Sequence, residues 1–341
     1  MSELNITYRA VQAIKPGELQ LVSKPLVEPE TGYVRVRVEA CGVCHSDAAT
    51  VQGVLPIQWP RVPGHEVIGR IDAVGAGVAG WSVGDRVGVG FLAGNCGYCA
   101  RCRAGDLVNY QNQEFTGVHR DGGYAEVLIT KASSLVSVPA DLNSVQAAPL
   151  LCAGLTTFSA LRNAKIDAGE RVAILGVGGL GHLAVQYARY MGYEVIAIGR
   201  GIDKEALARK LGAHHYIDSS AGGVGESLQK LGGVSLLLAT ASAGKTVSES
   251  IKGLGPRGKL IAIGVSPDPI EVSSADLIFG GRTVEGALTG DSATADATLR
   301  FSSLTGVAAM IETMPLEKAP EAYARMMSNQ ARFRIVLTMS A

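Results

Sequence analysis

The stretch Arg171-Val172-Ala173-Ile174-Leu175-Gly176-Val177-Gly178-Gly179-Leu180-Gly181 decides the fold of this chain. Its first five residues form a short apolar run typical of a buried strand, and the residues from Leu183 to Ala188 open a helix. A GxGxxG motif between a strand and a helix is typical of dinucleotide binding. Gly176 allows the tight turn, Gly178 lets a pyrophosphate approach the backbone, and Gly181 lets the helix pack closely on the strand. A glycine turn without a ligand is the alternative, and the strand–helix context argues against it. The loop residues predicted to contact the cofactor are Gly176, Gly178, Gly179, Leu180 and Gly181.

The residues after this loop continue the alternation of strands and helices. The first helix is predicted to end at Gly192, a residue suited to the left-handed cap. Further segments follow, namely the strands Glu194–Ile198, Ser235–Leu238 and Lys259–Ile263 and the helix Lys204–Leu211. This alternation predicts a doubly wound parallel sheet, the Rossmann arrangement, over residues 153–288.

The end of the second strand predicts which nicotinamide cofactor binds. An acidic residue there would hydrogen-bond the adenosine ribose hydroxyls and repel a 2′-phosphate, but Gly199 and Arg200 stand in its place. Because arginine pairs with phosphate through a fork of donors, we predict NADP(H), with NAD(H) as the alternative. A solvated surface arginine is the non-functional interpretation of Arg200. Lys204, Gly264 and Val265, which follow the second and fourth strands, are further candidate cofactor contacts.

The residues before the Rossmann region have a different pattern. Short alternating runs such as Tyr33 to Val38, broken by glycine and proline, predict half-buried antiparallel strands. The last part of the chain holds two predicted helices and a final strand, Phe333–Leu337, that we expect to return to the first domain. A chain of 341 residues also exceeds what one hydrophobic core supports. We therefore predict an α/β protein with a mostly β catalytic domain, residues 1–152 and 289–341, and a Rossmann domain.

Composition and charge argue against several classes of function. The 31 Lys and Arg residues balance 31 Asp and Glu residues, and no block of like charges is present to bind a nucleic acid or an anionic membrane. The amino terminus lacks a basic region followed by an apolar core, and no apolar run approaches the roughly 20 residues of a membrane span. We expect a cytoplasmic protein without nucleic-acid or membrane partners.

Two short segments of the first domain carry the residue types of a metal site. Cys44-His45-Ser46-Asp47 and Pro63-Gly64-His65-Glu66 supply a thiol, imidazoles, a hydroxyl and carboxylates, and a second thiol, Cys152, follows. A catalytic zinc ion keeps three protein ligands, Cys₂His being one such set, and leaves a fourth position for water or substrate. Each residue alone could be an ordinary buried side chain. A redox pair of Cys41 with Cys44 is the weaker interpretation, since oxidation would remove a metal ligand.

Residues 94–110 form a lobe with three further cysteines, Cys96, Cys99 and Cys102. Structural zinc sites are closed by four protein ligands, and no fourth cysteine follows here. The lobe therefore either holds no metal, which the missing ligand favours, or takes another ligand such as His119 or a carboxylate.

These motifs together resemble the zinc-dependent alcohol dehydrogenases of the medium-chain dehydrogenase/reductase superfamily, over nearly the whole chain. The resemblance implies a GroES-like fold for the first domain. It implies that Cys44, His65 and Cys152 bind zinc, with Glu66 beside the metal as a candidate alternate ligand. Zinc would polarise an alcohol, aldehyde or ketone while hydride passes to or from the nicotinamide. The resemblance further implies a homodimer or homotetramer.

The remaining roles implied by the resemblance belong to the proton path and the cofactor. Asp47 would hold His65 in its metal-binding tautomer, and Ser46 would relay a proton. The residues implied to contact the cofactor are His45 and Arg334 at the pyrophosphate and Thr156 near the nicotinamide.

Three departures from the family and two alternatives remain. Ala49 stands where many relatives have the histidine that completes the proton relay, Tyr110 replaces the fourth lobe cysteine, and Gly199-Arg200 replaces the acidic residue of NAD-using members.

A zinc-free quinone or enoyl reductase would leave the cysteines and His65 unexplained. A non-catalytic nucleotide-binding relative would not need them either. The residues that could line a substrate slot or simply belong to the core are Trp59, Phe91 and Leu92.

Overall fold

The computed structural model describes residues 6–240 and 243–339, and the chain divides into two compact units. One unit combines Met1–Cys152 with Gly290–Ala341, and the other is Ala153–Thr289. The second boundary lies one residue after the predicted 288/289 division.

The first unit is mostly β. Before residue 152 its strands are β1 (Thr7–Lys15), β2 (Glu18–Pro25), β3 (Tyr33–Val43), β4 (Val67–Val74), β5 (Arg86–Val89), β6 (Val127–Lys131) and β7 (Leu135–Ser137), and its short helices are α1 (Ala48–Val51), α2 (Ala100–Arg103) and α3 (Ser144–Ala147). The strands β1 and β2 form an antiparallel ribbon, while β3 lies between β4 and β6 and pairs antiparallel with both.

The long strand β3 shows why the alternating pattern forms a half-buried strand. Val34, Val36 and Val38 are buried and Arg37 is exposed, as the period of two requires. Arg35 departs from the pattern because its guanidinium is buried, and it is compensated by hydrogen bonds to the Asp72 carboxylate, at 2.7 Å, and to Glu28.

The second unit is built on a parallel sheet. Its strands are β8 (Arg171–Leu175), β9 (Glu194–Gly199), β10 (His215–Asp218), β11 (Val234–Ala239), β12 (Leu254–Ala262) and β13 (Thr283–Gly286), and its helices are α4 (Ala153–Asn163), α5 (Gly181–Tyr190), α6 (Glu205–Lys210), α7 (Val224–Lys230), α8 (Gly244–Ser250) and α9 (Ser274–Ile278). The strand order is β10-β9-β8-β11-β12-β13, which is the Rossmann order and confirms the predicted doubly wound sheet. Helix α5 ends before Gly192, whose φ of 87° is the predicted left-handed conformation.

The last segment of the chain completes the first unit, as predicted. It contains α10 (Ser292–Thr305), β14 (Ile311–Pro315), α11 (Ala319–Met327) and β15 (Arg334–Thr338). Strand β15 pairs antiparallel with the end of β3 and parallel with β14. The core of this unit contains side chains from both parts of the chain, including Val36, Ile71, Leu316 and Ile335.

Within the described ranges, no single helix is long and apolar enough to cross a membrane. The segments Ser144–Leu151 and Ala153–Asn163 pass the criteria of length and composition only when they are combined as a bent pair.

Candidate functional site

The pairing of β3 with β4 brings Cys44 and His65, two of the sequence-predicted metal ligands, together. Cys41 on β3 pairs with Val67 on β4, and the Gly42 N–H donates to the Glu66 carbonyl, so the antiparallel continuation carries Cys44 toward His65. One ligand atom each from Cys44, His65, Glu66 and Cys152 lies within 4.8 Å of all the others.

The donor set fits a tetrahedral zinc ion. Two thiolates that each bind zinc at about 2.3 Å lie about 3.8 Å apart in a tetrahedron, and the sulfur atoms of Cys44 and Cys152 are 3.7 Å apart. The contact with Cys152, aided by His65, lowers the pKa of Cys44 well below its usual value although burial opposes ionisation. His65 Nε2 is buried and makes no hydrogen bond to the described residues, so its lone pair is available to a metal.

Asp47 fixes the orientation of His65. Its Oδ1 lies 3.0 Å from His65 Nδ1, an arrangement that favours a proton on Nδ1 and the use of Nε2 toward a metal. The other oxygen, Oδ2, accepts from the Cys44 backbone N–H at 2.9 Å and from the Tyr124 hydroxyl at 2.8 Å. All four side chains are buried. Tyr124 is a residue that sequence reasoning missed, because nothing local in the sequence connects it to Asp47, 77 residues away.

Glu66 and Arg334 form a buried ion pair beside the cluster. Ile335 on β15 pairs with Val43, which brings Arg334 alongside the end of β3, opposite Glu66. A Cβ at Gly42 would lie 1.8 Å from Glu66 Oε2. Only glycine at this position therefore leaves space for the Glu66 carboxylate beside β3. Burial raises the pKa of Glu66 to about 7 against the opposing effect of the Arg334 guanidinium. The structure thus pairs Arg334, implied by resemblance to contact the cofactor, with a residue of the metal cluster.

Aromatic side chains pack around the imidazole. The Phe91 ring contacts the His65 ring edge-on with a centroid distance of 4.9 Å, and its other neighbour is the stacked ring of Phe115 at 4.4 Å. Trp59 is 36% exposed, and its Nε1 donates to the Thr50 carbonyl at 3.3 Å. Of the predicted slot residues, Phe91 is therefore the one shown in contact with a cluster side chain.

His45 and Ser46 follow Cys44 in a short 3-10 turn and are both exposed. Ala49 lies in α1, the next turn of the chain, and is partly buried. A methyl group neither donates nor accepts a proton, so Ala49 does not extend a relay from Ser46.

The three lobe cysteines converge without the predicted alternative ligand. The sulfur atoms of Cys96, Cys99 and Cys102 lie within 4.8 Å of one another, and Cys99 Sγ is 3.5 Å from Cys102 Sγ. Burial, followed by the charge of the nearby Cys96, raises the pKa of Tyr110, the residue in place of the fourth lobe cysteine. His119 is not in this group, and its Nδ1 accepts the Phe115 backbone N–H at 3.0 Å. The structure thus does not bring His119 to the three thiols, and its Nδ1 is engaged by a local backbone contact.

The glycine loop of the second unit has the geometry of a phosphate-binding turn. Gly176 adopts a φ of 100°, and a Cβ at Gly181 would lie 1.7 Å from the Gly176 carbonyl oxygen. A Cβ at Gly178 would meet nothing within 4 Å, so this face of the loop is open to a ligand. Thr240 Oγ1 donates to the Gly176 carbonyl at 3.1 Å and braces the turn. Gly179 and Leu180 lead directly into α5.

The other predicted cofactor residues occupy different positions in this unit. Arg200 is exposed directly after β9 and makes no hydrogen bond or ion pair with the described residues. Thr156 is buried in α4, where its hydroxyl donates to Thr289 Oγ1 at 3.4 Å. Lys204 is partly buried ahead of α6, and Gly264 and the 93% exposed Val265 follow β12.

Comparison with known proteins gives matches along the whole chain. Residues 30–140 match the family model for the alcohol dehydrogenase GroES-like domain, and residues 179–304 match the model for zinc-binding dehydrogenase. Alcohol dehydrogenase patD of Penicillium expansum is 43% identical over 334 residues, which are 98% of this chain and 98% of that protein.

Two solved structures are similar over nearly their full lengths. CAD from Helicobacter pylori, complexed with NADP(H), has a TM-score of 0.87 at 27% identity and covers 98% of both chains. A thermostable alcohol dehydrogenase from Pyrobaculum aerophilum, with cobalt and zinc bound, has a TM-score of 0.87 at 27% identity over 98% of this chain and 100% of its own.

Proposed function

Because this chain belongs to the zinc-binding alcohol dehydrogenase family of the medium-chain dehydrogenase/reductase superfamily, we propose that it transfers hydride between NADP(H) and an alcohol, aldehyde or ketone at a zinc site. Cys44, His65 and Cys152 are the proposed zinc ligands. The observation that carries the proposal is the cluster of donor atoms within 4.8 Å, in which His65 Nε2 is buried and free.

The contacts of each side chain around the proposed metal indicate its role. Zinc, when bound, would supply a Lewis acid for the substrate oxygen, and the nicotinamide would carry the hydride. Asp47 keeps the proton of His65 on Nδ1, and Phe91 limits the rotation of the ring. Glu66 is held by Arg334 and is the candidate alternate ligand through its unpaired Oε2.

Proton release is proposed to pass from the exposed Ser46 hydroxyl to water. Ser46 lies two residues from the ligand Cys44, and Ala49 provides no further group. A shorter path with water as the final acceptor is consistent with the exposure of both His45 and Ser46.

NADP(H) is the proposed cofactor because of the residues after β9. Arg200 is exposed and unpaired among the described residues, so its guanidinium can form a forked pair with a 2′-phosphate. Gly199 contributes no carboxylate that would repel the phosphate. The similar Helicobacter pylori protein is a structure in complex with NADP(H), which gives further support.

Zinc counting and hydride-transfer kinetics test the proposal. Protein purified without added metal should carry one tightly held zinc per chain, lose activity on chelation and regain it with zinc. A panel of alcohols and aldehydes should be turned over with higher kcat/KM for NADP(H) than for NAD(H), and Arg200→Ala should reduce NADP(H) use selectively. Arg162→Ala, at another exposed arginine of the same unit, is the matched control. Full activity at less than one zinc per chain would instead favour a zinc-free reductase, and no turnover would favour a non-catalytic relative.

The lobe is proposed to be metal-free in the purified enzyme, since its three thiols lack an identified fourth ligand. A second zinc per chain would contradict this. Assembly into a dimer or tetramer stays a prediction, to be measured by light scattering.

A further inference from the structure

A side chain at position 199 of this chain has no space unless the Tyr216 side chain moves. Gly199 is buried at the end of β9. A Cβ built on it would lie 2.4 Å from Tyr216 Oη and 3.1 Å from Tyr216 Cζ, distances at which real Cβ atoms are not found or are severely crowded. This is the position at which an acidic residue would bind the ribose hydroxyls of NAD(H).

The sheet register places the Tyr216 ring there. Tyr216 on β10 pairs with Ala197 on β9, and the long side chain reaches two residues further along the neighbouring strand. Its hydroxyl donates to the Gly201 carbonyl at 2.5 Å. The ring cannot move away from Gly199 without breaking this hydrogen bond. The Tyr216 side chain is thus fixed by its strand at one end and by its hydroxyl at the other.

Other residues at the end of β10 hold the same turn. The Gly201 N–H donates to Asp218 Oδ1 at 2.8 Å, and Ser219 Oγ donates to the Gly199 carbonyl at 3.1 Å. Both neighbours of Arg200 are therefore anchored through their backbones, while the Arg200 side chain itself stays exposed.

The Asp218 carboxylate is already engaged in structure. Besides the Gly201 N–H, its Oδ1 accepts from the Ser220 N–H at 2.8 Å and from Ser220 Oγ at 2.7 Å. Three donors on one oxygen orient the carboxylate toward its own turn, so it is poorly placed to replace the missing acid at position 199.

We propose that Tyr216 is a positioning residue that determines cofactor specificity. Its ring keeps a carboxylate out of position 199, and its hydroxyl holds the backbone from which Arg200 meets the 2′-phosphate. The inference rests on the proposed use of NADP(H). It implies that Gly199→Asp alone does not convert the enzyme to NAD(H), because the new side chain has no space.

A double-mutant cycle tests the steric part. kcat/KM for both cofactors is measured in wild type, Gly199→Asp, Tyr216→Ala and the double variant, with thermal melts of each. Gly199→Asp should lose efficiency with both cofactors and melt at a lower temperature. The double variant should use NAD(H) at least about tenfold better than either single variant, which is about 1.4 kcal/mol relative to each of them. If the Asp variants fail to fold, Gly199→Ala in the wild-type and Tyr216→Ala backgrounds tests the same clash by melting temperature.

Tyr216→Phe tests the positioning part, because it keeps the ring and removes only the hydroxyl. If all of the roughly 1 kcal/mol of this neutral hydrogen bond is expressed in cofactor binding, the KM for NADP(H) rises about fivefold, while kcat and the NAD(H) kinetics change less. Tyr190→Phe, at a half-exposed tyrosine of the same unit, is the control.

Two results would overturn the inference, and a third would overturn its premise. Conversion to NAD(H) by Gly199→Asp alone, as complete as in the double variant, would remove the steric role. An unchanged NADP(H) KM in Tyr216→Phe would remove the positioning role. A preference of the wild type for NAD(H), with no effect of Arg200→Ala, would refute the proposed cofactor itself and is recognised without any Tyr216 variant.

Discussion

Replacing Asp47 by asparagine should switch the tautomer of His65 and so weaken the proposed zinc site without changing the size of any side chain. In the wild type, the carboxylate faces three donors, which are the Cys44 N–H, the Tyr124 hydroxyl and His65 Nδ1–H. An asparagine has one carbonyl oxygen and one NH₂ group. The oxygen satisfies the most donors when it takes the Oδ2 position, facing Cys44 and Tyr124.

The amide NH₂ group then faces His65 Nδ1. A nitrogen that faces a donor must be the acceptor, so the imidazole proton moves to Nε2. This atom points into the cluster and can no longer bind a metal. Changes at residues that orient a metal-binding histidine weaken metal affinity by about 10- to 100-fold, which is about 1.4 to 2.7 kcal/mol.

Competition with a chelator of known zinc affinity measures the effect, with circular dichroism melts as a check on folding. Tyr124→Phe is the matched control, because it removes one donor to Oδ2 but leaves the His65 contact in place. It should destabilise the fold by about 1.5 to 3 kcal/mol, the range for hydrogen bonds to charged groups, and weaken zinc binding less than Asp47→Asn does. Wild-type zinc affinity in a folded Asp47→Asn variant would refute the tautomer argument.

Two other perturbations test the ion pair and the glycine loop. Arg334→Met leaves Glu66 buried without its partner and should destabilise the protein by about 3 to 5 kcal/mol in chemical denaturation. The double variant Glu66→Gln/Arg334→Met should recover much of this loss. Equal stability of the single variant and the wild type would contradict the pairing. Gly181→Ala forces a Cβ to 1.7 Å from a backbone carbonyl oxygen and should cost at least about 1 to 3 kcal/mol of stability. Gly178→Ala should melt like the wild type but raise the KM for the cofactor. The reverse order of melting temperatures would contradict the assignment of Gly181 to packing and Gly178 to cofactor binding.

The local motifs of the sequence were enough to predict the parallel sheet of the second unit and the mostly β character of the first. The run Arg171–Leu175, the glycine loop and Gly192 lie at β8, the turn and the end of α5, since strand, turn and cap preferences act over a few residues. The final strand also returned to the first unit as expected. The position of His119 was not predictable, because the sequence does not reveal the contact of its ring with the Phe115 backbone, which lies apart from the three thiols.

The sequence by itself determined the chemistry of the site, because thiols, imidazoles, carboxylates and a glycine turn are local properties of the chain. Only the tertiary structure decided which distant groups act on them. The Tyr124 hydroxyl donates to Asp47, Arg334 forms an ion pair with Glu66, and Tyr216 occupies the space that a side chain at position 199 would need. Each of these contacts follows from strand register and chain crossing, and a shift of one residue in a strand would turn the side chain to the other face of its sheet.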